Sequence, residues 1–204
     1  VVPLARAFIT GKIVNCRTVL RRAAREHPGE HSDGGLALAC ESLTSCLRRL
    51  PRARSLDEIR GLEGEAAGMY FGVFDRLISA KVKGIRFTGR SRRPPLDEIN
   101  CLLSFFYTLL AADLRGAIES VGLDPAVGFL HRDRPGRPSL ALDMMEEFRP
   151  VLADRLALTL VNRGQIRAKD FEQTASGAIL LKEKARREVL VAYQERKREE
   201  ILHP

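Results

Sequence analysis

Cysteine is scarce in this sequence, which has four among 204 residues and no CxxC pair. Cys16, Cys40, Cys46 and Cys101 all fall within apolar helical patterns. We therefore interpret them as buried thiols of a cytosolic protein. This distribution excludes a disulfide framework and a cysteine-based zinc site.

Several sequence signals are also missing. No apolar run approaches the roughly 18 residues of a transmembrane helix, and no signal peptide is visible, so we expect no membrane segment. There is no GxxxxGK[ST] phosphate loop, no GxGxxG fingerprint and no nucleophile elbow. No segment alternates polar and apolar residues over a sustained stretch, and there are no repeats. These absences, together with helical periodicity through most of the chain, predict an all-α fold.

The composition, with 45% hydrophobic and 29% charged residues, is that of an ordinary globular protein. We expect one helical domain over residues 1–204. The chain begins Val1-Val2-Pro3 without an initiator Met, so we expect a portion of a longer protein. The formal net charge of +8 indicates a polyanionic partner, with nucleic acid favoured over a membrane surface.

Much of the positive charge is concentrated in one segment, KVKGIRFTGRSRR at positions 81–93. This basic segment has no acidic residue, and glycines and Phe87 are interleaved with its cations, a composition that suits a phosphate backbone. A second group of arginines follows His131. The candidate DNA-binding residues are Lys81, Lys83, Arg86, Arg90, Arg92, Arg93, Arg132, Arg134 and Arg137.

One carboxylate stands out on the helix predicted to begin with the capping box at Ser55 and to continue to about Ala80. Glu63 lies at the inner edge of this helix, beside Tyr70. A buried carboxylate needs a partner, so we expect an arginine or a metal ion there. Three glycines around Glu63 suggest that another group approaches this helix closely: Gly61, Gly64 and Gly68.

A second acidic group follows a loop that carries His131. Ser139 is a natural N-cap for a helix whose apolar face includes Ala141 and Met145. Three acids then fall together on the opposite face: Asp143, Glu146 and Glu147. They repel each other, so either a cation lies among them or they form an ordinary solvated face.

These residues form a candidate site of Glu63, His131, and Asp143 with Glu146 or Glu147. Two carboxylates and one imidazole suit Mg²⁺ or Mn²⁺. Such an ion beside arginines fits phosphodiester chemistry. His27 and His31 are spaced for a metal, but Pro28 and Gly29 between them disfavour the helix that would align them.

Four ordered motifs resemble the helical domain of the CRISPR-associated integrase, the catalytic subunit of the spacer-acquisition complex. They are LEGEAAGMYF at 62–71, RSRRPPLDEINCLLSFFYTLL at 90–110, GLDPAVGFLH at 122–131 and GRPSLALDMMEEFRP at 136–150. The resemblance implies that Glu63, His131 and Glu146 hold a divalent metal, with Asp143 an acidic neighbour in a catalytic site.

The resemblance also implies a biological setting. The protein would join the 3′ ends of captured double-stranded DNA to a CRISPR repeat by metal-dependent transesterification, in a prokaryotic cytoplasm. It would act as a homodimer with a small ferredoxin-fold companion subunit. A RecB-like iron–sulfur exonuclease, fused or separate, is a further expected partner. The family's small N-terminal β domain is absent from this sequence.

Two alternatives remain at this level. The same residues could serve a standalone metal-dependent nuclease that acts on branched DNA with water as the nucleophile. The chain could also be a non-catalytic helical DNA-binding module whose acidic cluster is structural.

Overall fold

The computed structural model describes residues 1–26, 34–132 and 134–200. Within these residues, seven α-helices and one small hairpin account for the regular structure, apart from short 3₁₀ and π turns. The helices are α1 (Val2–Glu26), α2 (Gly35–Arg49), α3 (Leu56–Gly72), α4 (Glu98–Ser120), α5 (Ser139–Phe148), α6 (Arg155–Asn162) and α7 (Glu183–Lys197), and the strands are β1 (Phe171–Gln173) and β2 (Ile179–Leu181). The predicted all-α class is confirmed, because helices dominate the fold.

The central helix of the fold is α1, which packs against α2, α3 and α5. Its apolar side chains point in several directions, and Ile9, Ile13 and Leu20 among them are fully buried. Three of the four free cysteines are also buried, and Cys40 is half-buried.

Side-chain caps define where two of the site-bearing helices begin. Ser55 accepts a hydrogen bond from the backbone N–H of Glu58 (3.2 Å) at the start of α3, as predicted. Asp97 caps α4 in the same way through Asn100 N–H (2.7 Å). The predicted extension of α3 to Ala80 is wrong, because the helix ends at Gly72 and gives way to a 3₁₀ turn at Phe74–Leu77.

The chain from α5 to α6 does not form one regular helix. A π turn over Arg149–Asp154 joins them, and the N–H of Arg155 donates to the carbonyl of Pro150. Ser139 is the first residue of α5 rather than its N-cap, and it is fully buried. Helix α5 packs against both α1 and α4. Its acidic residues Asp143 and Glu146 are buried.

The hairpin was not predicted. Its strands pair in antiparallel register, Phe171 with Leu181 and Gln173 with Ile179. Each strand has only three residues, which is too short to show alternation in the sequence. In the turn before β1, the Asp170 carboxylate accepts the backbone N–H of Arg167 (2.8 Å).

Helix α4 satisfies a membrane-span test by length and composition alone, with a mean hydropathy of 1.4. The sequence analysis had not recognised this helix as a long apolar run. The core helix of a globular domain passes the same test, and α4 packs against α5, α6 and β2. Leu102, Leu103 and Phe106 on α4 are fully buried in that core.

Candidate active site

Glu63 on α3 and Glu146 on α5 meet at a lysine that the sequence analysis missed. The ammonium of Lys12, on α1, donates a hydrogen bond to Oε1 of Glu63 and lies 2.6 Å from Oε2 of Glu146. Lys12 and Glu146 are buried, whereas 27% of the Glu63 side chain is exposed. Glu63 was predicted to pair with an arginine or a metal, and its partner in this structure is Lys12. The available signal was that Lys12 lies on the same face of α1 as the apolar residues Ile9 and Cys16.

The other oxygen of Glu146 faces two further groups. Arg149 Nη1 lies 2.8 Å from Oε1, and His131 Nε2 lies 3.8 Å from the same atom. Burial alone would raise the pKa of Glu146, but Arg149 and Lys12 outweigh it and hold that pKa at about 2. Burial likewise opposes the charge on Lys12, but Glu146 and Glu63 together raise its pKa. Lys12 and Glu146 therefore form an ion pair at neutral pH.

Asp143 orients the histidine. Its fully buried carboxylate accepts the backbone N–H groups of Phe129 (2.5 Å), Leu130 (2.8 Å) and His131 (2.9 Å), and Nδ1 of His131 lies 2.6 Å from Oδ1. Burial would raise the pKa of Asp143, but these hydrogen bonds lower it. Because an ionised carboxylate can only accept, Nδ1 is the donor in this contact, and Nε2 of His131 faces Oε1 of Glu146 at 3.8 Å.

The loop that carries His131 is held close to α5. A Cβ on Gly128 would lie 2.6 Å from Cβ of Ser139 and 3.0 Å from Oδ2 of Asp143, so only glycine fits there. From the other side, Arg60 donates to the carbonyl of Leu130 through Nε (2.8 Å) and Nη2 (2.6 Å). These contacts fix the position of the imidazole.

The helical-wheel prediction for α5 was wrong in one respect. It placed Asp143, Glu146 and Glu147 on a face opposite the buried one, yet Asp143 and Glu146 are buried together with Ala141 and Met145. The reason is that α5 is covered on two sides, by α1 and by α4. A solvated acidic face is therefore excluded for these two residues.

Glu147 lies apart from this cluster. Its side chain packs against Gly11 of α1, and Asn15 Nδ2 donates to its backbone carbonyl (2.7 Å). The guanidinium of Arg149 pairs with Glu146.

A cavity of about 380 Å³ adjoins the carboxylates, and Lys12, Glu63 and Arg149 form one part of its wall. Arg90 and Arg92 also line it, so four cations surround this space. The ring of Tyr107 lies between two of them, with Cζ of Arg149 4.9 Å and Cζ of Arg90 5.3 Å from its centroid. The Nε atoms of Arg90 and Arg149 are buried without a hydrogen-bond partner. The cavity is therefore suited to an anionic group.

A second buried acid, Asp154, lies at the same cavity. It accepts hydrogen bonds from the hydroxyls of Tyr107 (2.6 Å) and Tyr70 (3.1 Å). Burial raises the pKa of Asp154 to about 6, although both hydrogen bonds and the nearby Arg149 and Arg90 oppose the rise. Sequence reasoning missed this residue because it lies within an apolar helical stretch with no polar pattern.

The basic segment is extended, and five of its six cations are exposed. The exception is Arg90, whose Nη1 donates to Oδ1 of Asn100 (2.5 Å). Phe87 is buried against Phe74, with ring centroids 5.0 Å apart, so it cannot serve as an exposed stacking surface. The exposed cations are Lys81, Lys83, Arg86, Arg92 and Arg93.

The other predicted residues divide as follows. Arg132 and Arg134 are exposed and Arg137 is half-buried, near the His131 loop. His27 and His31 lie outside the described residues. Added Cβ atoms at Gly61, Gly64 and Gly68 would meet no other group of the described residues within 4 Å, so no part of the chain itself makes the predicted close approach.

Within residues 1–26, 34–132 and 134–200, no three His, Cys, Asp or Glu side chains are arranged as a ready metal site. The Lys12 ammonium lies between the two carboxylates that the sequence analysis proposed as ligands. Its position nevertheless shows that Glu63 and Glu146 can contact one cation together, with His131 Nε2 nearby. Oxygen donors and one imidazole are a suitable set for Mg²⁺ or Mn²⁺.

Two relatives match nearly the whole of this chain. A CRISPR-associated endonuclease Cas1 of Chlorobaculum tepidum is 58% identical over 201 residues, which cover 98% of this chain and 59% of that protein. A CRISPR-associated exonuclease Cas4/endonuclease Cas1 fusion of Geobacter sulfurreducens is 44% identical, over 98% of this chain and 36% of that protein. The chain thus corresponds to only a part of each relative.

Solved structures have the same fold. A casposase bound to integration product matches with a TM-score of 0.83 and 29% identity, over 98% of this chain and 54% of that one. A Cas6-RT-Cas1–Cas2 complex matches with a TM-score of 0.82 and 29% identity, over 98% of this chain and 22% of that one. Residues 1–195 match the model of the family described as CRISPR associated protein Cas1. The chain therefore belongs to the Cas1 family of CRISPR-associated proteins.

Proposed function

We propose that this chain is the catalytic part of a divalent-metal-dependent DNA integrase and endonuclease of CRISPR adaptation. One observation carries the proposal: Glu63 and Glu146, from two helices, contact one cation together, and Nε2 of His131 lies 3.8 Å from Oε1 of Glu146. Glu63 also lines a cavity that contains three arginines. The Cas1 relatives that it matches are named endonucleases, and the casposase structure holds an integration product.

In this proposal, Glu63, Glu146 and Nε2 of His131 hold Mg²⁺ or Mn²⁺, which would polarise a phosphoryl oxygen and activate the attacking hydroxyl. Asp143 fixes the tautomer and orientation of His131. Arg90, Arg92 and Arg149 face the cavity and offset the negative charge that develops on a phosphate during displacement.

The proposed reaction exchanges one phosphodiester bond for another. The 3′ oxygen of a captured DNA strand forms a bond to phosphorus in the CRISPR repeat, and the bond from that phosphorus to its own 3′ oxygen breaks. The proton lost by the attacking hydroxyl is balanced by the proton gained by the leaving one. Because the number of ester bonds is unchanged, the reaction needs no nucleoside triphosphate, in keeping with the absence of a GxxxxGK[ST] loop from the sequence.

The proposed partners follow from the same comparisons and charges. Double-stranded DNA is the polyanion for the exposed cations of the basic segment and for Arg132, Arg134 and Arg137. One solved neighbour contains Cas2 with Cas1, and one relative is a Cas4 fusion. We accordingly propose a homodimer that works with a small companion subunit of the Cas2 type and with a Cas4-type exonuclease.

A strand-transfer assay with the complete protein and its companion tests the proposal. A labelled oligonucleotide with a 3′-OH is incubated with repeat-containing DNA in EDTA, Mg²⁺ or Mn²⁺. We expect joining only with metal, and loss of joining with retained DNA binding in Glu63→Ala, His131→Ala and Glu146→Ala. Glu65→Ala is the matched control, since Glu65 lies on α3 but pairs with Arg49 at the surface.

The same assay separates the alternatives. Metal-dependent cleavage of branched DNA without joining would identify a standalone nuclease. DNA binding without either reaction in any metal would identify a non-catalytic binding module. Near-normal joining by Glu63→Ala in Mn²⁺ would show that the proposed metal site is wrong.

A further inference from the structure

Lys12 occupies an unusual place for a lysine. It lies in the middle of α1, its side chain is only 9% exposed, and its ammonium contacts carboxylates from two other helices. Both of those carboxylates, Glu63 and Glu146, are the ones that the proposed function assigns to a divalent ion. The inference below therefore rests on the proposed function.

Lys12 contacts the same two carboxylates that would bind the divalent ion, so the lysine and the ion would compete for them. Its Nζ touches Oε1 of Glu63 and lies 2.6 Å from Oε2 of Glu146. An ion bound by the same two residues would take up oxygen atoms at roughly 2.0–2.2 Å. Two cations that share these oxygens would lie within a few ångströms of each other in a buried site, where their repulsion is strong.

The structure also offers the lysine another location. Lys12 lines the cavity of about 380 Å³, which reaches the surface past the exposed Gly72 and Arg92. A lysine carries its charge on a flexible four-carbon stem, so its ammonium can move by several ångströms without movement of the helix. Rotation of this stem into the cavity would clear the position between the carboxylates.

We propose that Lys12 is a built-in cation that neutralises Glu63 and Glu146 in the metal-free protein and is displaced into the cavity when a divalent ion binds. The metal-free site is then stable without the repulsion of two bare carboxylates. The cost of this arrangement is metal affinity, because each binding event must displace an ion pair.

Calorimetric titration of Mn²⁺ into the metal-free complete protein tests the exchange directly. Lys12→Met keeps the length of the side chain and removes its charge, and we expect it to bind Mn²⁺ at least about tenfold more tightly than the wild type. Arg149→Met is the matched control. It removes the same charge from the other oxygen of Glu146 without clearing the position between the carboxylates, and we expect a smaller gain.

A second measurement uses the wild-type protein and does not depend on the folding of a variant. Lysines are acetylated briefly in EDTA or in saturating Mn²⁺ and quantified by mass spectrometry. We expect labelling of Lys12 to rise severalfold with Mn²⁺, relative to the exposed Lys81 and Lys83. Unchanged labelling of Lys12 in the metal-bound protein would overturn the exchange.

The outcomes separate this inference from the proposed function. Equal gains in Lys12→Met and Arg149→Met, or weaker Mn²⁺ binding in Lys12→Met, would reject displacement and leave the metal site standing. Absence of Mn²⁺ binding in both the wild type and Lys12→Met would overturn the metal site and the exchange together.

Discussion

Glu146 and Asp154 are both buried acids on the stretch from α5 to α6, yet their pKa values are shifted in opposite directions. The pKa of Glu146 is held at about 2, whereas that of Asp154 is raised to about 6. Burial acts in the same direction on both. The difference lies in the partners that contact each carboxylate.

Two full positive charges, on Lys12 and Arg149, contact Glu146. Asp154 is contacted by two neutral hydroxyls, which donate hydrogen bonds but carry no charge. Desolvation of a carboxylate is offset by directly paired cations and only partly by neutral donors. A buried acid near an active site can therefore be a permanent anion or a group that titrates, depending on one pair of neighbours.

Among the variants that test this comparison, Glu146→Gln is expected to have the largest effect. It removes a proposed metal ligand, so strand transfer should fall by more than the roughly 100-fold that loss of an outer partner can cause. It also leaves Lys12 and Arg149 without their shared anion, which should destabilise the metal-free protein by about 3 kcal/mol at pH 7. Urea denaturation in EDTA measures this, and a Glu146→Gln variant as stable as Glu65→Gln would contradict the comparison.

Asp154→Asn should stabilise the folded protein at neutral pH, whereas Glu146→Gln should destabilise it. The folded-state pKa of Asp154, about 6, lies above its ordinary value of 3.8, so ionisation opposes folding. The wild type should lose roughly 3 kcal/mol of this contribution as the pH rises from about 4 to 6, and no more above that. Asn can accept from one tyrosine through Oδ1 and donate through Nδ2 to the hydroxyl oxygen of the other. The variant should therefore be the more stable protein at pH 8 and close to wild type near pH 4. A stability difference that does not vary with pH would break the comparison.

Asp143→Asn tests a third buried acid, which acts through His131. An amide nitrogen in place of Oδ1 donates to Nδ1 and moves the imidazole proton to Nε2, which then cannot bind a metal. We expect Mn²⁺ affinity to fall by about 10- to 100-fold. Nitrogen NMR of the His131 ring reports the tautomer. Weakened binding with an unchanged tautomer would mean that Asp143 only stabilises the loop.

The arginines of the basic segment also differ in the partners that contact them. Arg92 and Arg93 are exposed, whereas Arg90 is held by Asn100 and Tyr107. Replacing Arg92 and Arg93 by alanine should flatten the plot of log DNA affinity against log salt by about 0.9 for each phosphate that is no longer neutralised. The single variant Arg90→Ala should change this slope less. A larger change for Arg90→Ala would show that its inward contacts are exchanged for DNA.

Glu147→Gln should have the smallest effect. Glu147 follows Glu146 in sequence, but its side chain packs against Gly11, whereas that of Glu146 contacts Lys12 and Arg149. We expect less than about a threefold loss of strand transfer and of Mn²⁺ affinity, well below the loss in an outer partner of a ligand. A greater loss than in Glu146→Gln would mean that the ligand on α5 is Glu147.

Helical periodicity was sufficient to predict the fold class and the inward position of Glu63, because apolar spacing determines which face of a helix is buried. It failed on α5, where two neighbours cover opposite sides and bury both apolar and acidic residues. It also missed the hairpin, whose strands are too short to carry a pattern.

The groups that contact the acidic residues of the site were harder to predict from the sequence than the acidic residues themselves. Lys12 was overlooked because a lysine is normally solvated, and only the packing of α1 against α3 and α5 shows otherwise. The role of Asp143 depends on three backbone N–H groups of a loop, which have no signature in side-chain identity. Tertiary packing therefore decides which charged groups meet.

The π turn at Arg149–Asp154 has a consequence for how this region can change in evolution. A wide turn accommodates one more residue than the α-helix that it replaces, so the chain after it is rotated by roughly 100°. Deletion of a single residue there would leave Glu146, His131 and Glu63 in place but turn Leu156 and Leu160 of α6 out of the core. A change in the length of this stretch would therefore alter the packing of α6 even if every proposed ligand stayed in place. A relative whose aligned sequence lacks a residue between Glu146 and the start of α6 would therefore have a differently packed core.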